Sequence, residues 1–145
     1  MAAPSSSMKT TATGYLGYRG QEGHYSFLLH RLTGLGTLLF LIIHIVDTAF
    51  VYFFPPLYAH AMELYRSTPF MIGEIALVFS VIFHGVNGLR VAYFDLKAAN
   101  LWTIDTQRKS SRIALVVSIL LWLPAAALML NSLLKHNFGI HLLGS

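Results

Sequence analysis

The fold of this chain is decided by residues 32–54, LTGLGTLLFLIIHIVDTAFVYFF, which contain one aspartate and no lysine, arginine or glutamate. As an α-helix, these 23 residues would extend for about 35 Å, which is enough to cross the hydrocarbon core of a membrane. Pro55 and Pro56 follow directly and end the helix. Because isolated strands would leave backbone groups without hydrogen bonds in lipid, the sequence predicts a transmembrane helix here.

Two more apolar runs follow, at residues 70–94 and 113–134, and both are long enough to span a bilayer. Hydrophobic residues make up 55% of the 145 positions and charged residues only 11%, against about a quarter in soluble domains. The sequence therefore predicts an all-α integral membrane protein with three transmembrane helices. We expect one membrane-anchor domain over residues 1–145, with a tail at 1–24 and spans at about 28–54, 70–94 and 113–134.

The basic residues predict the orientation of the chain. Eight lysines and arginines precede the first span or lie around the loop between the second and third, whereas only Arg66 and Lys135 lie on the other side. This distribution places the N-terminus in the cytoplasm or matrix and the C-terminus outside. The net charge of +4 does not indicate nucleic-acid binding, because the charges flank apolar runs and form no basic face.

The sequence has no cysteine, which excludes cysteine-ligated iron–sulfur clusters and structural disulfides in this chain. Any metal must be held by histidine or carboxylate. Polar residues recur at helical spacing on one face of each of the first two helices, and ionisable groups inside lipid are candidates for function. These stripes contain His30, Thr33, Thr37, His44 and Asp47 on the first helix, and Ser80, His84, Asn87 and Asp95 on the second.

His84 lies near the middle of the second span, where a b-type haem would explain an imidazole. Such a haem needs a neutral imidazole nitrogen, a flat slot, and cations for its propionates. Gly88 lies one turn from His84, and Arg90 lies about 9 Å along the helix, within reach of a propionate. The alternative is an imidazole that hydrogen-bonds a carbonyl group on a neighbouring helix, and the residues alone leave both interpretations open.

His44 on the first helix has three interpretations. It could ligate a second haem with Asp47 as the group that orients it, share a proton relay with Asp47, or simply pair with Asp47 one turn away. We interpret Gly34-Leu35-Gly36 as a helix-packing contact, because it lies inside an apolar run. Three helices also form a poor closed bundle around a buried polar stripe, so we expect a partner membrane subunit.

Two motifs resemble those of a known family. Residues 26–34, SFLLHRLTG, resemble the S-x-x-H-R-x-[ST]-G signature of succinate dehydrogenase cytochrome b subunits. Residues 84–90, HGVNGLR, followed by Asp95, resemble their H-x-x-x-G-[IL]-R…D signature. The resemblance covers roughly residues 18–134 and is closest to a bacterial branch of the family.

The resemblance implies a haem-binding helix bundle completed by a second small membrane anchor. His84 falls at the position of the family's haem ligand, with the other axial histidine supplied by the partner anchor. His30, Arg31 and Arg90 would contact the haem propionates. Family members with two haems carry a histidine on the first helix, so His44 is the expected ligand of a second, distal haem; one or two haems b are therefore expected.

The resemblance also implies a quinone site at Ser26, Phe27 and Arg31. The family's serine stands four residues before the arginine, whereas here Phe27 takes that place and Ser26 is five residues before. A contact between the Ser26 hydroxyl and quinone would need a local shift of the helix.

The implied function is that of the membrane-anchor cytochrome b subunit of succinate dehydrogenase, which passes electrons from succinate to quinone and is not catalytic alone. Its partners would be a flavoprotein subunit with flavin, an iron–sulfur subunit with clusters, and the second anchor. We expect a bacterial cytoplasmic membrane location, with the mitochondrial inner membrane as the alternative. Two other functions remain open: a quinol:fumarate reductase anchor, and a non-redox helical subunit that anchors a complex or handles protons.

Overall fold

The computed structural model describes residue 14 and residues 22–140 of the chain. In this part of the chain the regular elements are all helical, which confirms the predicted all-α fold. They are α1 (Glu22–Phe53), α2 (Pro55–Tyr65), α3 (Thr68–Lys97) and α4 (Ile104–Phe138), with a 3₁₀ helix (Ala99–Leu101) between α3 and α4.

Three of these helices, α1, α3 and α4, are long and apolar enough to cross a membrane, as the sequence predicts. Each of these three helices runs antiparallel to the next one along the chain. Both α1 and α4 pack against α3. One end of the bundle holds the start of α1, the 3₁₀ helix and the start of α4; we call it the 3₁₀ end. The opposite end holds α2 and is called the α2 end. The chain is a multi-pass helical membrane protein.

α2 is a helix that the sequence analysis did not predict. Pro55 and Pro56 end the first span, as expected, but they also occupy the first turn of α2. Proline suits this position because its fixed φ is helical and its missing N–H would have no partner in a first helical turn. His60 therefore lies in a helix.

The helices extend beyond the apolar runs at the 3₁₀ end. α1 already begins at Glu22, whereas the predicted tail before residue 22, including Lys9 and Arg19, lies outside the described part of the chain apart from residue 14. α4 begins at Ile104, nine residues before its apolar run, because the Thr103 side chain caps it by accepting a hydrogen bond from the Thr106 amide. The added turns hold charged side chains that lie outside the apolar runs.

Small side chains let α3 and α4 approach closely. Ser118 is fully buried between them, and the large Phe83 ring on α3 is only 1% exposed. Nearer the α2 end of the same interface, the Trp122 indole N–H donates a 3.1 Å hydrogen bond to the carbonyl oxygen of Ile75. The buried positions on the α4 side are Ser111, Ala114, Ser118 and Leu133.

Candidate functional site

The two polar stripes predicted from the sequence meet at the 3₁₀ end, on the contact between α1 and α3. Thr33 on α1 is 3% exposed and Asn87 on α3 is 2% exposed, so both stripes face inward here. His30 and His84 lie between them, with their rings stacked at 4.2 Å between centroids and 6° between planes. The structure thus brings together the two histidines that the motifs single out.

The ring of His84 has a defined tautomer. Its Nδ1 lies 3.1 Å from the carbonyl oxygen of His30. Since a carbonyl oxygen only accepts, Nδ1 carries the proton and donates it, which leaves the lone pair on Nε2. This contact confirms the alternative interpretation of His84, in which its imidazole hydrogen-bonds a carbonyl group on a neighbouring helix. The contact uses one ring nitrogen, and the haem interpretation, which would need the other nitrogen, stays a prediction.

Gly34 is the reason that the His84 ring can lie against α1. A Cβ atom added at Gly34 would come within 2.9 Å of the Cε1 of His84 and 3.2 Å of its Nδ1. Two residues later, a Cβ at Gly36 would meet the Ser80 hydroxyl oxygen at 3.0 Å. The interpretation of Gly34-Leu35-Gly36 as a packing contact is confirmed, and one of its glycines packs directly on the candidate ligand.

The glycines that follow His84 leave open surface beside it. A Cβ at Gly85 would meet nothing within 4 Å, and one at Gly88 would meet only the His30 ring, at 3.8 Å. The chain therefore has no bulk at these two positions, one residue and one turn away from His84.

The three residues predicted to bind quinone fall into two groups. The Ser26 hydroxyl faces inward and donates a long hydrogen bond of 3.5 Å to the Asn87 side-chain oxygen on α3. Phe27 and Arg31 lie on the exposed side of α1, where the Arg31 guanidinium lies 5.0 Å from the centroid of the Phe27 ring. Within the described chain, Ser26 does not share a surface with the Phe27–Arg31 pair.

Arg90 points towards α4, where its guanidinium donates a hydrogen bond to the Ser111 hydroxyl. The Arg90 Nε atom is buried and has no hydrogen-bond partner among the residues that the structure describes. The same is true of His30 Nδ1 and of the Nε2 of Gln107, one turn before Ser111 on α4. Three buried nitrogens with unused hydrogen-bonding capacity thus lie towards the 3₁₀ end of the bundle.

A cavity of about 470 Å³ opens at the α2 end between α1, α2 and α3, and His44, Asp47 and Glu74 contribute to its lining. The Tyr65 phenol on α2 donates a 2.8 Å hydrogen bond to the Asp47 carboxylate. The His44 ring stacks on Phe40, with centroids 5.6 Å apart. The structure thus gives Asp47 a partner other than His44, and that partner comes from the unpredicted helix.

The environment of Tyr65 favours its neutral form. Burial raises the pKa of the phenol above its ordinary value of 10.0, and the hydrogen bond to the Asp47 carboxylate raises this pKa further. Tyr65 therefore keeps its proton at neutral pH and remains a donor to Asp47. The contact joins the end of α1 to α2 across the cavity.

The described residues contain no group of three or more histidine, cysteine or carboxylate side chains that could hold a metal ion by themselves. A b-type haem makes a smaller demand, because the porphyrin supplies four nitrogens and the protein only the axial ligands. For one axial position, a single imidazole nitrogen such as His84 Nε2 would be enough.

Several residues at these sites were missed by the sequence analysis. Ser111 and Tyr65 are ordinary polar residues, and nothing in their spacing indicates that they contact Arg90 and Asp47. Their roles depend on which helices are neighbours. Asn87 was placed on the polar stripe, but its partner Ser26 was not predicted.

The comparisons with known proteins agree with the motifs. A sequence model of the succinate dehydrogenase/fumarate reductase transmembrane subunit family matches residues 10–125. The chain is also 35% identical over 78 residues to the succinate dehydrogenase 2 membrane subunit SdhC of Mycobacterium tuberculosis, a match that covers 54% of this chain and 57% of that protein. The chain thus matches little more than half the length of this curated relative. Because the family match extends over most of the sequence, the chain belongs to the succinate dehydrogenase/fumarate reductase transmembrane subunit family.

Proposed function

We propose that this chain is the membrane-anchor cytochrome b subunit of a succinate:quinone oxidoreductase and that it binds one haem b through His84. The observation that carries the proposal is the hydrogen bond from His84 Nδ1 to the His30 carbonyl oxygen. The bond occupies Nδ1, and in a neutral imidazole with its proton there the lone pair lies on Nε2, which is the form that an iron ligand requires.

The unsatisfied nitrogens at the 3₁₀ end support an anionic ligand there. A buried polar nitrogen without a partner is costly, and the cost is larger in lipid, where water cannot replace the partner. Haem propionates would accept hydrogen bonds from His30 Nδ1 and Arg90 Nε, which belong to two of the residues that the sequence analysis expects to contact them. Gln107 Nε2 is a third donor of this kind. When bound, the haem supplies a one-electron carrier; the protein holds and tunes it.

Arg31 and Phe27 supply the quinone contact that we propose. Both side chains are exposed on α1, so a quinone there would be covered by a neighbouring subunit as well as by this chain. The Arg31 cation would stabilise negative charge that develops on a quinone carbonyl oxygen, and the Phe27 ring would offer an apolar wall. Ser26 is a weaker candidate, because its hydroxyl faces Asn87.

The cavity at the α2 end is the place for the second haem that we propose. His44 lines it from α1, and its neighbours include Tyr65 and Glu74. Among the described residues, Asp47 accepts a hydrogen bond from Tyr65 and makes none with His44, so Asp47 does not orient His44 directly. A second haem would therefore depend on His44 alone within this chain, and its other ligand would come from a partner.

Exposed apolar surface supports assembly with other subunits. Leu32, Leu35 and Ile45 on α1 are all more than half exposed. Part of this surface would face lipid and part a second small anchor, while a flavoprotein and an iron–sulfur subunit would dock at the 3₁₀ end. The charge distribution supports a cytoplasmic location of that end in a bacterium.

The test is an activity assay on the complex purified from membranes through a tag on this chain. We expect flavoprotein and iron–sulfur subunits to copurify and the complex to reduce a water-soluble quinone with electrons from succinate. Predominant fumarate reduction by quinol would instead assign the physiological direction of the alternative anchor. A tagged chain that is purified without either soluble subunit and supports neither reaction would favour the non-redox function.

A further inference from the structure

We propose that Gly34 is a positioning residue for the haem ligand. Because Gly34 carries no side chain, the His84 ring can lie where its Nδ1–H donates a hydrogen bond to the His30 carbonyl oxygen. This inference rests on the proposed haem function. It assigns to Gly34 a part in setting the redox potential of the haem, in addition to its part in helix packing.

The ring of His84 is held from three directions. The His30 ring covers one face at 4.2 Å between centroids, and the His30 carbonyl oxygen lies 3.1 Å from Nδ1. The Cε1 edge points at Gly34, where an added Cβ would come within 2.9 Å. A methyl group at residue 34 would therefore force the ring to move, and the stacked His30 ring limits the directions in which it can do so.

Moving the ring would weaken the Nδ1 hydrogen bond. An added Cβ would also lie 3.2 Å from Nδ1 itself, so the displaced atom is the donor of that bond. A histidine that donates its second N–H to a carbonyl is a more basic ligand, and a more basic ligand favours the oxidised iron. Loss of the bond should therefore raise the midpoint potential of the haem.

Gly36 offers a matched control on the same pair of helices. A Cβ at Gly36 would meet the Ser80 hydroxyl at 3.0 Å and the Ser80 Cβ at 3.2 Å, which is also a tight contact between α1 and α3. Ser80 lies one turn of α3 away from His84. Gly34→Ala and Gly36→Ala should therefore disturb helix packing to a similar degree, but only Gly34→Ala touches the ligand.

The experiment is a redox titration of the haem, followed optically, in the purified wild-type, Gly34→Ala and Gly36→Ala complexes. We expect Gly34→Ala to shift the ratio of reduced to oxidised haem about tenfold towards the reduced form, a rise of about 59 mV for a one-electron couple. The electron paramagnetic resonance signal of the oxidised haem should change as well, because it reports the orientation of the axial rings. We expect Gly36→Ala to match the wild type in both measurements. An unchanged potential in Gly34→Ala, or an equal shift in Gly36→Ala, overturns the inference.

A second variant tests the hydrogen bond on which the inference depends, even where Gly34→Ala fails to assemble. In His84→Gly, added imidazole can take the place of the missing ring and donate to the His30 carbonyl, whereas 1-methylimidazole has no proton at its second nitrogen. We expect imidazole to restore the haem near the wild-type potential and 1-methylimidazole to give the raised potential. One potential for both ligands, or restoration by neither, contradicts the inference. A wild-type complex without haem b would instead reject the proposed function itself.

Discussion

The carbonyl oxygen of His30 and the Nδ1 atom of His84 lie 3.1 Å apart, and this contact joins α1 to α3 where the two rings stack. It connects the two family motifs in space, because each motif supplies one partner. The bond uses the backbone of one histidine and the side chain of the other. Substitution of the His30 side chain should therefore leave the carbonyl partner of His84 in place.

Arg31→Ala should lower quinone reductase activity by about ten- to a hundredfold, the range expected for a lost charge-assisted hydrogen bond of about 1.5–3 kcal/mol. Succinate oxidation with a soluble dye should stay near the wild-type rate, since it does not need the membrane quinone. Arg66→Ala, at the α2 end, is the control and should leave both rates unchanged. An equal loss in both assays of Arg31→Ala would mean that the soluble subunits no longer dock.

His44→Ala should remove one haem from a complex that contains two and leave the haem at His84 in place. The reason is that His44 lies at the α2 end, whereas His84 lies beside His30 nearer the 3₁₀ end. Haem quantification of both complexes is the measurement, with His60→Ala on α2 as the control. One haem in the wild-type complex rejects the second site, and an unchanged count of two in His44→Ala returns His44 to another role.

Tyr65→Phe should destabilise the protein by about 1 kcal/mol at pH 7, because it removes the hydrogen bond to Asp47. The pKa of Tyr65 is raised in the folded state, so the bond contributes fully below the ordinary pKa of 10.0 and is lost as pH rises through the folded value. Thermal unfolding in detergent should thus show a difference from wild type at pH 7 that shrinks above pH 10. Tyr58→Phe, in the same cavity, is the matched control for the loss of a phenol hydroxyl. A difference that persists unchanged at high pH would contradict this explanation.

Ser118→Val should destabilise the protein by about 1–3 kcal/mol, because Ser118 is fully buried where α3 and α4 meet, and valine would put a methyl group in place of the hydroxyl and add a second one that overpacks the contact. Ser118→Ala is the matched control. It loses only the hydroxyl that donates to the Ala114 carbonyl oxygen of its own helix and should change stability by less than about 1 kcal/mol. Similar stabilities for the two variants would show that the helices have room at this position.

The sequence predicts the three spans well because each depends on a long apolar run, which is a local property. The packing role of Gly34 and Gly36 is also predictable, since glycine pairs in apolar helices usually mark a close approach. α2 was not predicted, because Pro55 and Pro56 were interpreted only as the end of α1. The same prolines are favourable at the start of a helix.

The pairings at the sites were less predictable than the fold. Asp47 stands one turn from His44 in sequence, yet its carboxylate bonds to Tyr65, which approaches from α2. Arg90 likewise bonds to Ser111 on α4. Spacing along one helix shows which residues share a face, but it does not show which side chains of a neighbouring helix reach that face.

The central claim is that His84 ligates a haem b, and a reduced-minus-oxidised optical spectrum of the purified complex, with haem quantification, tests it most directly. The wild-type complex should show a b-type band. The assembled His84→Ala complex should contain one haem fewer per complex, and its band should be weaker in proportion. His30→Ala, which keeps the carbonyl partner of His84, should retain this haem. A flat trace in the wild type, or full haem content with an unchanged midpoint potential in His84→Ala, would contradict the claim.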